Sequence, residues 1–125
     1  MLIDDDDVGP GFAYSIGLTR TCGQPELISF GLDPKLMHWM INEIASGYAH
    51  GAVLRTGERV AGLIEGHDCE VRTMSRARYR EYLGYARWFY AGDDFDVFQI
   101  VWPDTSNRFP WHAGFAARDQ QPQTW

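Results

Sequence analysis

From Phe12 to Leu18, large apolar and small positions alternate: Phe12, Tyr14, Ile16 and Leu18 point one way, Ala13, Ser15 and Gly17 the other. That period of two predicts a strand with one large apolar face and one nearly bare face. A bare face containing a glycine implies close approach to the backbone by a packed neighbour or a bound ligand. Arg20 to Pro25 reads as a turn by its Gly and Pro. ELISFGL then alternates Ile28, Phe30 and Leu32 against Leu27, Ser29 and Gly31, so the two strands are expected to form a hairpin. Asp33 followed by Pro34 supplies a helix N-cap and a first-turn proline. Met37, Met40, Ile41, Ile44 and Tyr48 recur at three and four residues, which predicts a helix from Pro34 to about Tyr48.

The second half repeats the grammar. ERVAGLIEGHDCEVRTM reads as two strands around a turn at Glu65 to Asp68. Ser75 is the expected N-cap of a helix running to about Tyr90, with Tyr79, Leu83, Ala86 and Tyr90 along one face. GDDFD is a loop, and VFQIVW is a strand stopped by Pro103. The order ββαββαβ predicts a single α+β domain over residues 12–125: a mainly antiparallel sheet, two helices on one side, and an irregular C-terminal tail. Residues 1–11 are expected to be an acidic disordered arm.

Composition sharpens this. The chain has 125 residues, 45% hydrophobic and 14% aromatic, enough for one core and too apolar for overall disorder. No apolar run approaches the roughly 18 residues of a membrane span. The N-terminus lacks the regions of a secretory signal, so the expectation is a cytoplasmic protein without a membrane segment. Eleven Lys plus Arg against 17 Asp plus Glu give a net charge of −6, and four of the acids are Asp4 to Asp7. Such a run reads as a solvated arm and lacks the ligand spacing of a calcium loop. Arg76, Arg78, Arg80 and Arg87 face only Glu81 in their segment, a local basic cluster. The acidic total argues against nucleic acid as a partner.

Candidate chemistry is sparse. Among His and Cys, only His67 and Cys69 have ligand-like spacing, and one pair does not make a zinc site, so no metal is predicted. Cys22 and Cys69 form neither a disulfide framework nor a CxxC pair. No nucleophile elbow, P-loop or dinucleotide fingerprint occurs, and acid pairs such as Asp93–Asp94 lie in turns where solvation is the default. No catalytic residue is assigned. The strongest signal is aromatic: Tyr79, Tyr82, Tyr85, Trp88, Phe89 and Tyr90, joined by Trp102 and Trp111, exceed what two core seams can hide.

FAYSIGLTRTCGQPELISFGL, GERVAGLIEG, YREYLGYARWFY, QIVWPD and RFPW, in that order, resemble the bacterial domain-of-unknown-function family 4262 over about residues 12–112. The resemblance implies no activity. A more distant architectural likeness is to the split-barrel flavin-reductase fold. Two functions are therefore expected from the residues. The first is a binding or regulatory module that meets a protein partner or a second copy of itself through Tyr85, Arg87, Trp88 and Trp111. The alternative is a small-molecule enzyme of flavin- or nucleotide-binding split-barrel type. It would hold a flavin-like ring against Ala13, Ser15 and Gly17, bordered by Tyr14, His38 and Trp102. No cofactor is predicted under the first reading.

Overall fold

The computed structural model describes residues 2–3, 11–115 and 120–125; the acidic run Asp4 to Asp7 lies outside them. Its strands are β1 (Leu2–Ile3), β2 (Phe12–Tyr14), β3 (Glu26–Phe30), β4 (Arg59–Ile64), β5 (His67–Thr73) and β6 (Val97–Val101). They form one sheet in the order β1-β2-β3-β6-β5-β4. Leu2 and Ile3, placed in the arm by the sequence reading, pair with Ala13 and Phe12. Every pairing is antiparallel except β3 with β6. The α+β class holds, but the sheet is mixed. The reason lies in β6: VFQIV is buried along its whole length, so it takes a central slot between β3 and β5, where both faces are covered.

Helices cover both faces, not one. α2 (Pro34–Ala49) buries Met37, Met40, Ile41, Ile44 and Tyr48 against Leu27, Cys69, Val71, Phe98, Ile100 and Trp102. The Asp33 side chain caps it by accepting the Lys35 and Leu36 N–H groups. On the opposite face Tyr79, Leu83 and Ala86 pack on Phe12, Tyr14, Ile28, Phe30 and Val97.

Two expected elements take different forms. The first strand ends at Tyr14, and a short helix, α1 (Leu18–Cys22), replaces the tight turn. Gly17 opens α1 at φ 107°, and a Cβ there would meet nothing within 4 Å. Its glycine therefore serves backbone conformation, not close approach. The close approach occurs at Gly31, where a Cβ would sit 2.1 Å from the Gln120 carbonyl oxygen. The predicted second helix is broken into a 3₁₀ turn (Arg76–Arg78), α3 (Tyr79–Tyr82) and α4 (Gly84–Phe89). The chain thus has four α-helices among the described residues instead of two. Leu83 leaves helical geometry at φ −111°, ψ 41°, beside Gly84, a poor helix former. Ser75 makes no side-chain cap; its N–H instead donates to the Thr124 carbonyl.

The C-terminal residues carry no regular structure but are pinned. The Gln121 carboxamide accepts from the Trp102 N–H at 2.9 Å and donates to the Trp102 carbonyl at 2.8 Å. Gln99 donates to the Pro122 carbonyl and accepts from the Thr124 hydroxyl. All three polar side chains are buried.

Candidate functional site

The aromatic run partitions sharply once folded. Tyr79 is fully buried, and its hydroxyl donates to the Phe95 carbonyl at 2.7 Å. Tyr82 packs edge-on against Phe12 and Phe30. The Tyr90 hydroxyl donates to the Glu26 carboxylate, and the Arg20 guanidinium lies over the Phe89 ring at 4.2 Å. Two rings remain outside. Tyr85 is 60% and Trp88 80% exposed. They stand three residues apart on α4 and, with Gly84, line a shallow depression of about 410 Å³.

Three of the four arginines expected beside this surface are spent internally. Arg87 pairs with Asp93 at 2.5 Å, Arg76 with Asp94 and Asp96, and Arg78 with Glu81. Counting only Glu81 against four arginines missed the loop that follows, whose Asp93, Asp94 and Asp96 fold back onto Arg87 and Arg76, while Arg80 makes no ion pair among the described residues. Three of the four arginines are thus ion-paired.

The remaining candidates lie apart. Trp102 is buried, its indole N–H donating to the Phe30 carbonyl at 2.7 Å. Trp111 stacks on Phe109 at 4.9 Å, with Arg72 3.8 Å above its ring and Trp125 edge-on. Arg59 lies over Phe109, and Glu70 accepts from both Arg59 and Arg72 at 2.8 Å. This ladder ties the C-terminal segment to β4 and β5. Gly17 starts α1 and lines no cavity described here.

Tyr14 and His38 share a border and not a contact, because the Tyr14 ring packs with the cluster on the opposite face of the sheet. They line one cleft of about 390 Å³ between the end of β2 and α2. Tyr14 is buried, which raises the pKa of its phenol, and its hydroxyl rests on the Tyr85 backbone. The bare strand face itself is filled: Ala13 is 1% exposed and sits in the core cluster with Met37 and Ile41 of α2. Ala13 thus leaves no room for a ring laid flat across Ala13, Ser15 and Gly17 as the strand pattern suggests; the open space lies farther along, beside Ser15 and Ile16. Burial pushes the Cys69 thiol up to about 12, keeping it protonated at neutral pH. His67 Nδ1 lies 2.6 Å from Asn107 Oδ1.

Sequence reasoning missed Glu26. Its buried carboxylate accepts from the Ser15 hydroxyl at 2.8 Å and from the N–H groups of Gly17, Leu18 and Thr19 at 2.9 to 3.3 Å, besides the Tyr90 hydroxyl. It satisfies the open N-terminus of α1 from a neighbouring strand. The pattern offered one signal, a glutamate opening an otherwise apolar run. Asn42 was also missed, although it stands one turn beyond His38 on the same side of α2.

The family model described as "Domain of unknown function (DUF4262)" matches residues 1–116. The chain belongs to this family. Comparison with curated proteins and with solved structures finds no match. For this DUF4262 chain the site geometry therefore carries the functional argument. Among the described residues, no helix is long and apolar enough to cross a membrane.

Proposed function

We propose that the protein is a cytoplasmic binding module that grips a protein partner through Tyr85 and Trp88 of α4. One observation carries this reading: Trp88 leaves 80% and Tyr85 60% of its surface in water, while the other aromatics of the run are packed inward or capped. Trp and Tyr dominate the energetic centres of protein interfaces, because each buries a large rigid surface and keeps one polar atom for hydrogen bonding. The Arg87–Asp93 pair braces the end of α4 and sits at the rim of the contact, where charge acts on association rate more than on affinity.

Partner retention on the immobilised full chain tests this, alongside sedimentation of the free protein. Trp88→Ala should reduce retention of the specific partner at least tenfold, and Tyr85→Ala by less, with thermal unfolding within a few degrees of the parent. Val53→Ala, which trims an exposed apolar side chain elsewhere, should leave retention unchanged. Where the partner is a second copy, sedimentation should show a concentration-dependent dimer that Trp88→Ala abolishes. Retention and assembly indifferent to Trp88, or equally sensitive to Val53, would refute the reading.

A further inference from the structure

Helix α2 carries two adjoining depressions that share His38 and Asn42. The inner one, about 390 Å³, is the cleft against the end of β2, with Ile16, Leu18, Ile41 and Ala45 as its apolar walls. The outer one, about 480 Å³, is bounded by Pro34, Lys35 and Trp39. His38 and Asn42 are both exposed, and neither side chain has a hydrogen-bond partner among the described residues. Two neighbouring polar groups thus stand unengaged at the mouth of an apolar cleft. This combination of a mainly apolar enclosure and a few convergent polar groups typifies small-molecule sites.

Charge narrows the ligand. Lys35 is the only lysine of the chain and makes no ion pair among the described residues. Its neighbour Asp33 directs its carboxylate to the Lys35 and Leu36 N–H groups at the start of α2. Among the described residues, no carboxylate lines either depression. On a protein of net charge −6, whose overall field repels anions, this groove is a local exception. It offers an ammonium, an imidazole and a carboxamide, none of them paired with a carboxylate among the described residues. The inner walls hold no basic group except His38, so they suit a ring more than a second charge.

We propose that this groove binds a small planar carboxylate. The ring enters the inner cleft between β2 and α2, and the carboxylate turns outward to His38, Asn42 and Lys35. This site is separate from the α4 surface, and its fate does not depend on that reading.

The test is titration of the full chain with benzoate, nicotinate and phenylacetate, each beside its neutral amide, followed by amide chemical shifts. At least one acid should give saturable shifts clustered at Ser15, Ile16, His38 and Asn42, and bind about tenfold tighter than its amide. Lys35→Glu and Asn42→Ala should each weaken that acid about tenfold, with spectra that remain folded. Ala45→Trp should block it by filling the cleft; should that variant unfold, the first two decide. Absence of saturable binding by all three acids, equal affinity for acid and amide, or shifts mapping to another face would overturn the proposal.

Discussion

Glu26 and Tyr48 show how a single buried polar atom acts in opposite directions. At the start of β3, Glu26 gathers three backbone N–H groups and two hydroxyls, so its burial is compensated. Tyr48 has its hydroxyl buried among the described residues with no partner. Leaving such a group unsatisfied costs about 1–3 kcal/mol. Tyr48→Phe should therefore stabilise the fold by about 1 kcal/mol at pH 7, read as a higher urea midpoint; a lower midpoint would mean the hydroxyl is bonded after all. Burial also pushes the Tyr48 and Tyr79 phenols up to about 12, whereas an unfolded tyrosine ionises near pH 10. Their neutral forms thus contribute stability that is complete below pH 10 and is lost as pH rises toward 12. Tyr48→Phe should make alkaline unfolding shallower across that window. Neither role was legible in sequence. Glu26 reads as a polar strand end and Tyr48 as the last member of an apolar stripe, and partners that lie across the fold leave no local pattern.

At the scale of elements, the periodic stripes reported burial better than they reported continuity. The five residues predicted as the core face of α2 are the five it buries. Tyr79, Leu83 and Ala86 are likewise buried as predicted, although the helix carrying them breaks between α3 and α4. A stripe at three and four residues survives a local kink because each side chain still has to reach the same core. The break is set by the dihedral angles of Leu83, to which hydrophobic spacing is blind. Glycine context gives a paired prediction. Gly84→Ala places a Cβ in open space at the start of α4, and should stabilise by about 0.5–1 kcal/mol through helix propensity. Gly17→Ala, also in open space, must hold φ 107° and should cost about 1 kcal/mol or more. Thermal melts that move both variants in the same direction would contradict this account of the two turns.

Across the whole molecule, the C-terminal strap closes the structure. Gln121 and Thr124 engage Trp102 and Gln99 in the interior, and Trp125 adds to the rings near Arg72. Truncation after Gln120 would strand the buried Gln99 carboxamide and the Trp102 backbone, so a loss of about 3 kcal/mol or more is expected from several unsatisfied groups. A truncated chain melting within a couple of degrees of the parent would show the strap to be dispensable. Alternation, three-to-four spacing and the Asp33–Pro34 pair, being local, were enough to define the α+β class, most strands, the α2 cap and the buried faces. They could not report that β6 lies parallel to β3 at the sheet centre, that helices take both faces, or that Asp93, Asp94 and Asp96 pair with Arg87 and Arg76. Nor could they separate the exposed Tyr85 and Trp88 from the rings that turn inward, since burial on an aromatic-rich helix is decided by which neighbours arrive from distant positions. The groove on α2 has the same origin: Ser15 and Ile16 are unrelated along the chain to His38 and Asn42, and only the packing of the segment after β2 against α2 makes them one surface.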